Sequence, residues 1–427
     1  MIKHIIREWR FMLTQRYVLV LLCCAFMVSG FSVFTGLSEV NNQRQTIERL
    51  KIADQTDRAE AQAKYDDPGS LAYYSYHLTY SYPSNLAFAA LGDRDIYPWK
   101  HRIKMLALEG QIYESDAQNA ELAQAGKIDF AFVISALSPL FLILLFHDLL
   151  ASERSSGRHD LLLTTARSSF ALWGARIIVR LLAIFICLLV PFYIGAVLSD
   201  TGLSALISVS LWCLIYFIFW TGLSVYFGKK SSSAPRIASG LIAAWVLFVF
   251  IIPILGDLAI KRSVESPKGA EILLTQREAV NDAWDLPAKT TMDAFVVTHP
   301  EYAAYTEFEG GFDWKWYYAF QQVGDQTAAS LSIAYRDASY RKYELASYVA
   351  ALSPPMMIQR KMTRLAQSDA IAAFEYEQAI RAFHQSLREF YYPWLFINSD
   401  FDKKFLNELP HYEQQHSTSN KVNFDAK

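Results

Sequence analysis

Apolar and polar residues follow one another along this chain in long blocks. Five blocks combine strong apolar character with sufficient length, namely residues 17–37, 128–150, 177–198, 203–227 and 237–258. A helix needs about 20 mostly apolar residues to cross the ~30 Å hydrocarbon core of a bilayer. The pattern therefore predicts an all-α polytopic membrane protein with five transmembrane helices.

Two long polar blocks lie outside these spans, at residues 38–127 and 259–427. In the first block, residues 39–65 have a polar helical pattern. The residues Tyr74, Tyr76, Leu78, Tyr80 and Tyr82 then alternate at period two, which indicates a half-buried strand. The second block has a helical apolar stripe formed by Tyr376, Ile380, Phe383, Leu387, Phe390 and Trp394. A stripe of this kind is usually core, with ligand or partner contact as the alternative.

These features predict a mainly helical α+β domain built from the two polar blocks. Neither block contains a glycine- or serine-rich tether that would let it move independently. Each block also carries an aromatic face that must be covered, because burying one large side chain is worth roughly 1.5–3 kcal/mol. We therefore expect residues 38–127 and 259–395 to pack together as one body, with cover by a partner subunit as the alternative.

The amino-acid composition supports a membrane protein and gives no support for a nucleic-acid-binding, disulfide-stabilised or zinc-binding protein. The chain is 52% hydrophobic and only 19% charged, with a mean hydropathy of +0.12. Its net charge of −2 gives no indication of nucleic-acid binding. All four cysteines fall within apolar blocks, so neither a disulfide framework nor a zinc-binding spacing is indicated.

The distribution of lysine and arginine predicts the orientation, because these residues favour the cytoplasmic side. They cluster before span one (Lys3, Arg7, Arg10, Arg16), after span two (Arg154, Arg158, Arg167, Arg176) and after span four (Lys229, Lys230, Arg236). The turn at residues 199–202 has none. We therefore expect a cytoplasmic N-terminus and a cytoplasmic segment 151–176, with residues 38–127 and 259–427 extracytoplasmic.

Residues 1–16 have the pattern of an amphipathic helix. Ile2, Ile5, Trp9 and Met12 fall on one face, whereas Lys3, Arg7, Arg10 and Thr14 fall on the other. A basic face opposite an apolar face with a tryptophan is typical of a helix lying in the membrane interface. The alternative is an ordinary positive flank of the first span.

The segment after span two contains an acidic-basic pair, a glycine and an apolar triplet. These are Glu153-Arg154, Gly157 and Leu161-Leu162-Leu163. Gly157 permits a sharp bend or a helix end, and the leucines would begin a short helix on the cytoplasmic face. Such a helix can dock in a groove of a soluble partner, although charged turns between spans are common.

The run Glu153-Arg154-x-x-Gly157, followed by the leucines at 161–163, resembles the signature after the second span of type-2 ABC transporter permeases. In that family the turn precedes the coupling helix that touches the ATPase subunit. Pro139-Leu140, the segment 85–98, and Leu352-Ser353-Pro354 followed by Phe374 and Trp394 extend the likeness to one subgroup. That subgroup is largely uncharacterised, has large extracytoplasmic insertions, and is related to permeases of gliding motility and nitrous-oxide-reductase maturation.

The resemblance implies a permease subunit of an ABC exporter in the bacterial cytoplasmic (inner) membrane. It implies a cytoplasmic ABC ATPase subunit and a second permease subunit, identical or homologous, as partners, and allows a periplasmic partner. The chain itself would be neither an enzyme nor a cofactor-binding protein. Family members have six spans, whereas this sequence has five. We therefore expect either a chain that stops before its last span or a five-span variant.

Two other classes of function agree less well with the sequence. A membrane sensor or scaffold with a ligand- or partner-binding extracytoplasmic domain usually has a cytoplasmic output domain, and the longest cytoplasmic segment, of about 26 residues, is too short for one. A membrane enzyme is the second class, and this sequence contains no recognisable set of catalytic residues to support it. The run from Gly222 to Ser231 has the wrong spacing for a phosphate-binding loop, and His411 and His416 have the wrong spacing for a zinc site.

Overall fold

The computed structural model describes residues 2–113, 128–165, 168–230, 233–397 and 400–414, with a few side chains at the edges of the gaps left out. The polar tail from residue 415 and residues 114–127 of the first polar block thus lie outside the described residues. Within them, five helices are long and apolar enough to cross a membrane. They are α2 (Arg16–Lys64), α5 (Phe130–Ser155), α7 (Ser169–Leu198), α8 (Leu203–Lys230) and α9 (Ala234–Ser263). The coarse prediction of a mostly helical chain with five such helices is confirmed.

The first of these helices is far longer than a membrane requires. α2 has 49 residues, or about 74 Å at a rise of 1.5 Å per residue. It therefore continues without a break from the first apolar block into the polar pattern of residues 39–65. A shorter helix, α1 (Ile2–Thr14), precedes it and packs against α7.

The five helices form a bundle around one apolar core, which includes Val18, Ile134, Leu188, Phe217 and Trp220. Helix α5 lies at the centre of the bundle, since 67% of its most apolar stretch is buried. Helix α9 lies at the edge, with 11% buried.

Helix α5 contains a π-helical turn at Val133–Leu137. Pro139 has no N–H to donate to the carbonyl of Ser135, four residues before it. Tyr216 Oη donates to that carbonyl at 2.5 Å, and Trp245 Nε1 donates to the carbonyl of Ala136 at 2.8 Å. Side chains of α8 and α9 thus donate hydrogen bonds to two backbone carbonyls of the irregular turn.

A second core defines a body that we call the head domain. Its strands β1 (His77–Tyr80) and β2 (Lys100–Ile103) pair antiparallel, with His77 opposite Ile103. The predicted strand is correct only over four residues, because Tyr74 ends a helix, α3 (Pro68–Tyr74). The two polar blocks also contain the α-helices α4 (Leu108–Tyr113), α10 (Gly269–Asp285), α11 (Ala288–Val296), α12 (Trp314–Leu352), α13 (Pro354–Leu365) and α14 (Ala370–Phe396).

Both polar blocks contribute to the head core, as predicted. Leu71 and Ile103 of the first block share it with Tyr318, Ile380 and Leu387 of the second. A buried ion pair reinforces the contact, since Glu109 of the first block pairs with Arg381 of the second at 2.9 Å. Asp325 of the second block also accepts from the backbone N–H of Leu108 at 2.8 Å. The apolar stripe of α14 is therefore core, and its last members, Phe390 and Trp394, are only partly buried.

Candidate functional site

The segment after the second span is organised around Glu153, near the end of α5. Its side chain is almost fully buried and makes two ion pairs. One oxygen accepts from Arg176 Nη1 at 2.8 Å, and the other accepts from Arg158 Nε at 3.1 Å. A buried carboxylate needs such partners, because leaving one charge unpaired costs several kcal/mol. The structure therefore directs Glu153 inward, toward the bundle.

Arg176 connects this segment to the N-terminal helix. It lies near the start of α7, and its Nε donates to Glu8 Oε2 of α1 at 3.0 Å. Glu8 is itself buried and is also paired with Arg7 at 3.1 Å. The guanidinium of Arg176 lies over the ring of Trp173, with 5.2 Å to the ring centroid. We call Glu8, Glu153, Arg158 and Arg176 the Glu153 cluster.

A further contact ties the same segment to α8. Arg154 Nη1 donates to the carbonyl of Gly228 at 3.1 Å. Gly228 lies in the last turn of α8, where backbone carbonyls lack helical partners and carry partial negative charge. A guanidinium at this position satisfies one of them. The end of α5 is thus attached to α7 and α8 and, through Arg176, to α1.

Gly157 provides the bend that the sequence predicted. Its φ is +69°, in the region that residues with a Cβ rarely adopt. A Cβ added at Gly157 would meet no atom within 4 Å, so backbone conformation and not space requires the glycine. A short helix, α6 (Arg158–Thr165), begins immediately after it.

Helix α6 presents part of the leucine triplet on its surface. Leu161 is 64% exposed and Leu162 is partly buried. The side chain of Leu163 lies outside the described residues. An exposed leucine on a short helix at the end of a bundle can enter an apolar pocket of another protein.

The helix predicted at residues 1–16 is present as α1, and its residues have different surroundings. Met12 is buried against the bundle and Ile5 is partly buried, whereas Trp9 is 36% exposed. Arg7 and Arg10 are exposed. The exposed apolar side chains Ile6, Phe11 and Leu13 also belong to this helix. Helix α1 therefore packs on α7 and still offers apolar and basic side chains at its surface.

The burial of Glu8 and the bridging role of Arg176 are not evident from the motifs of the sequence. The available signal was that Glu8 is an isolated acidic residue in a strongly basic N-terminal stretch. A neighbouring contact was missed as well, since Arg180 pairs with Asp148 at 3.6 Å. Across the described part of the chain, no group of three or more His, Cys, Asp or Glu residues could hold a metal ion.

Comparison with known proteins identifies one region of likeness. A family model described as a domain of unknown function (DUF3526) matches residues 270–415. No curated protein matches the chain, and no solved structure matches it. The matched region comprises nearly all of the second polar block, including α12 to α14, and it does not extend to the Glu153 cluster.

Proposed function

We propose that this chain is the permease subunit of an ABC exporter, in which a separate cytoplasmic ATPase drives export or transmits force across the membrane. The observation that carries the proposal is the position of Arg176 between Glu8 and Glu153. Glu153 belongs to the turn whose sequence resembles the ATPase-coupling segment of type-2 permeases. Arg176 joins that turn to α7 and to the N-terminal helix.

The contacts provide a path for motion from a bound ATPase into the membrane. An ATPase that holds Leu161 on α6 would displace Arg158 and, through it, Glu153. Glu153 would move Arg176 and therefore α7, while Arg154 would pull on the end of α8. Packed helices respond to such displacement by rigid-body shifts. Movement of α6 would thus reach three helices at once.

The head domain packs around the far part of α2, beyond the bundle and away from the Glu153 cluster. With the N-terminus cytoplasmic, as the basic residues predict, the ATPase and the head domain would lie on opposite sides of the membrane. The head domain would then meet an extracytoplasmic substrate or a periplasmic partner. A second permease subunit, identical or homologous, would complete the membrane path, and the sparsely covered helix α9 offers it a surface.

Co-purification tests this proposal. We expect the tagged chain, purified from its native membrane in mild detergent, to bring with it an ABC ATPase that mass spectrometry identifies. The variant Leu161→Glu should lose the ATPase, because it places a charge on the exposed apolar contact. Leu286→Glu is the matched control, since Leu286 is a similarly exposed leucine of the head domain.

Wild-type protein that reproducibly carries no ATPase would contradict the proposal and favour a membrane sensor or scaffold. Retention of the ATPase by Leu161→Glu at wild-type levels would remove α6 from the contact.

A further inference from the structure

The end of α12 and the whole of α13 depart from the head domain and enter the bundle. Ile358, Met362 and Ala366 belong to the apolar core of the bundle, together with residues of α5 and α8. None of the three belongs to the head core. Helix α13 packs against α8, against the π-helical turn of α5, and against a second π-helical turn at Leu247–Ile251 of α9.

Two hydrogen bonds show how deeply this segment reaches. Ser353, at the tip between α12 and α13, donates from Oγ to the carbonyl of Phe248 at 2.6 Å. Phe248 lies in the middle of the apolar stretch 237–258 of α9. Closer to the head domain, Ser135 Oγ of α5 donates to Gln359 Oε1 of α13 at 2.9 Å. The tip therefore lies at the level of the middle of a membrane-spanning helix.

The other end of α13 lies level with the turn that joins α7 to α8. Ser84 donates to the carbonyl of Ala366 at 2.5 Å, and the adjacent Asn85 donates to the carbonyl of Asp200 at 3.0 Å. The 12 residues of α13 span about 18 Å at 1.5 Å per residue. That length is close to the ~15 Å that form half of a bilayer's hydrocarbon core.

The surface of residues 345–358 is mostly apolar and uncharged, which favours contact with lipid. Tyr348 and Leu352 are 72% and 67% exposed on the last turns of α12, beside the exposed apolar face of α9. Val349 packs directly against Gly256 of α9, where a Cβ would lie 2.4 Å from it. Residues 345–358 contain no charged side chain. An apolar stretch of about 14 residues is typical of a re-entrant segment, and irregular backbone is tolerated there when protein groups pair with it.

We propose that residues 345–365 form a re-entrant hairpin in the membrane leaflet nearest the head domain, and that Lys361 of this hairpin binds the anionic headgroup of a phospholipid of that leaflet. The proposal depends on the membrane-spanning bundle and not on a role in ABC transport.

Three cations of α13 differ in their surroundings. Arg360 stacks on the ring of Tyr343 at 4.0 Å and lies close enough to Asp93 to influence that carboxyl. Arg364 is exposed at the upper end of the helix. Lys361 is exposed on the side of α8, with its ammonium 5.1 Å from the ring centroid of Trp212. Among the described residues, no carboxylate forms an ion pair with Lys361.

The depth of Lys361 explains why a lipid headgroup is the fitting counterion. Lys361 lies five residues before Ala366, about 7 Å below the turn level at 1.5 Å per residue. A lysine at this depth extends its stem toward the headgroups, and an unpaired charge in hydrocarbon is costly. A phosphodiester at the interface supplies the missing negative charge, and the ring of Trp212 adds a cation–π contact to the ammonium.

The depth of the hairpin is tested first, on full-length protein in lipid nanodiscs after replacement of the four cysteines. A nitroxide attached to Leu352→Cys should be more accessible to oxygen than to a water-soluble nickel chelate. A nitroxide at Gln385→Cys, an exposed position of the head domain, should show the reverse. Greater accessibility of position 352 to the nickel chelate would overturn the hairpin.

Lipid binding is then tested by native mass spectrometry of protein released from nanodiscs of phosphatidylcholine and phosphatidylglycerol. Wild-type protein should retain phosphatidylglycerol, and Lys361→Gln should retain about fivefold less, the ratio that corresponds to ~1 kcal/mol per basic residue at an anionic surface. Lys361→Arg should retain the wild-type amount. Lys289→Gln is the matched control, since Lys289 is an exposed lysine of the head domain, 83% accessible. Equal retention by wild type and Lys361→Gln, or an equal loss in Lys289→Gln, would overturn the headgroup site.

Discussion

Arg176 holds the buried carboxylate of Glu153 at 2.8 Å, and 23 residues of sequence separate the two. The same guanidinium binds Glu8, which lies 168 residues before it. Three segments that are distant in sequence therefore meet at one charged cluster.

The first prediction concerns the buried ion pairs. Arg176→Ala should lower the free energy of unfolding by about 3–5 kcal/mol, because it leaves Glu8 and Glu153 without their shared partner. Lys261→Ala should change it by less than about 1 kcal/mol, since the pair of Lys261 with Asp257 is exposed. Thermal unfolding of both variants in detergent measures the difference. Similar stability of the two variants would show that the cluster contributes little.

The second prediction concerns Gly157. Gly157→Val should cost about 1–2 kcal/mol because a Cβ is strained at its positive φ, and Gly157→Asn should cost less. Gly174→Ala is the control, since Gly174 lies inside α7 with open space around it and should gain about 0.5–1 kcal/mol. If the chain couples to an ATPase, Gly157→Val should also uncouple ATP hydrolysis from export. Wild-type stability of Gly157→Val would contradict the backbone argument.

The third prediction concerns acid sensitivity of the head domain. His77 is fully buried, and burial, aided by Arg58, His384 and His411, lowers its pKa to about 3. The folded state therefore binds fewer protons than the unfolded state, so stability falls as the pH drops below about 6.5. Between pH 7 and pH 5 the loss should be about 2 kcal/mol for this histidine.

Unfolding measured across this range for wild type and His77→Leu tests the prediction. The variant should lose less stability on acidification than wild type. Parallel pH profiles of the two proteins would rule out His77 as the source.

The fourth prediction concerns Asp93, for which the expected change of stability with pH is opposite in sign to that of His77. Burial, followed by the nearby carboxylate of Asp369, raises the pKa of Asp93 from 3.8 to about 6. The folded state holds this proton more tightly than the unfolded state, so stability falls as the pH rises from about 4 to 6. Asp93→Asn should therefore stabilise the protein at pH 7, by on the order of 1–3 kcal/mol, and change little at pH 4. An equal effect of Asp93→Asn at both pH values would contradict the ionisation argument.

The fifth prediction concerns orientation in the membrane. The distribution of basic residues predicts that Ser70, Ser266 and Ser386 are extracytoplasmic and that Ser156 is cytoplasmic. Single cysteines at these positions, in a background without the native cysteines, can be probed with an impermeant maleimide on intact cells. We expect labelling at the first three positions and none at Ser156→Cys until the cells are opened. Labelling of Ser156→Cys in intact cells would reverse the topology. Ser232, which we also expect to be cytoplasmic, lies outside the described residues.

The sequence by itself determined the features that depend on local pattern. The five long helices follow from the length of each apolar block, and α1 follows from its helical periodicity. The bend at Gly157 follows from a residue type that tolerates a positive φ. Such features are encoded over a few turns of chain, because chain length, periodicity and backbone sterics act between near neighbours.

Only the tertiary structure decided which polar groups face inward and where the second polar block goes. From the sequence, Glu153 is expected to lie in a charged turn at the surface. Its burial depends on the ion pair with Arg176, which belongs to another helix. The sequence of residues 345–365 indicates part of a domain outside the membrane, whereas in the structure Ile358 and Met362 pack in the core of the bundle and Ser353 donates to the carbonyl of Phe248. These arrangements depend on partners that are distant in sequence. The free energy of a buried charge or of an apolar hairpin is set by the groups that surround it in space, which no local pattern specifies.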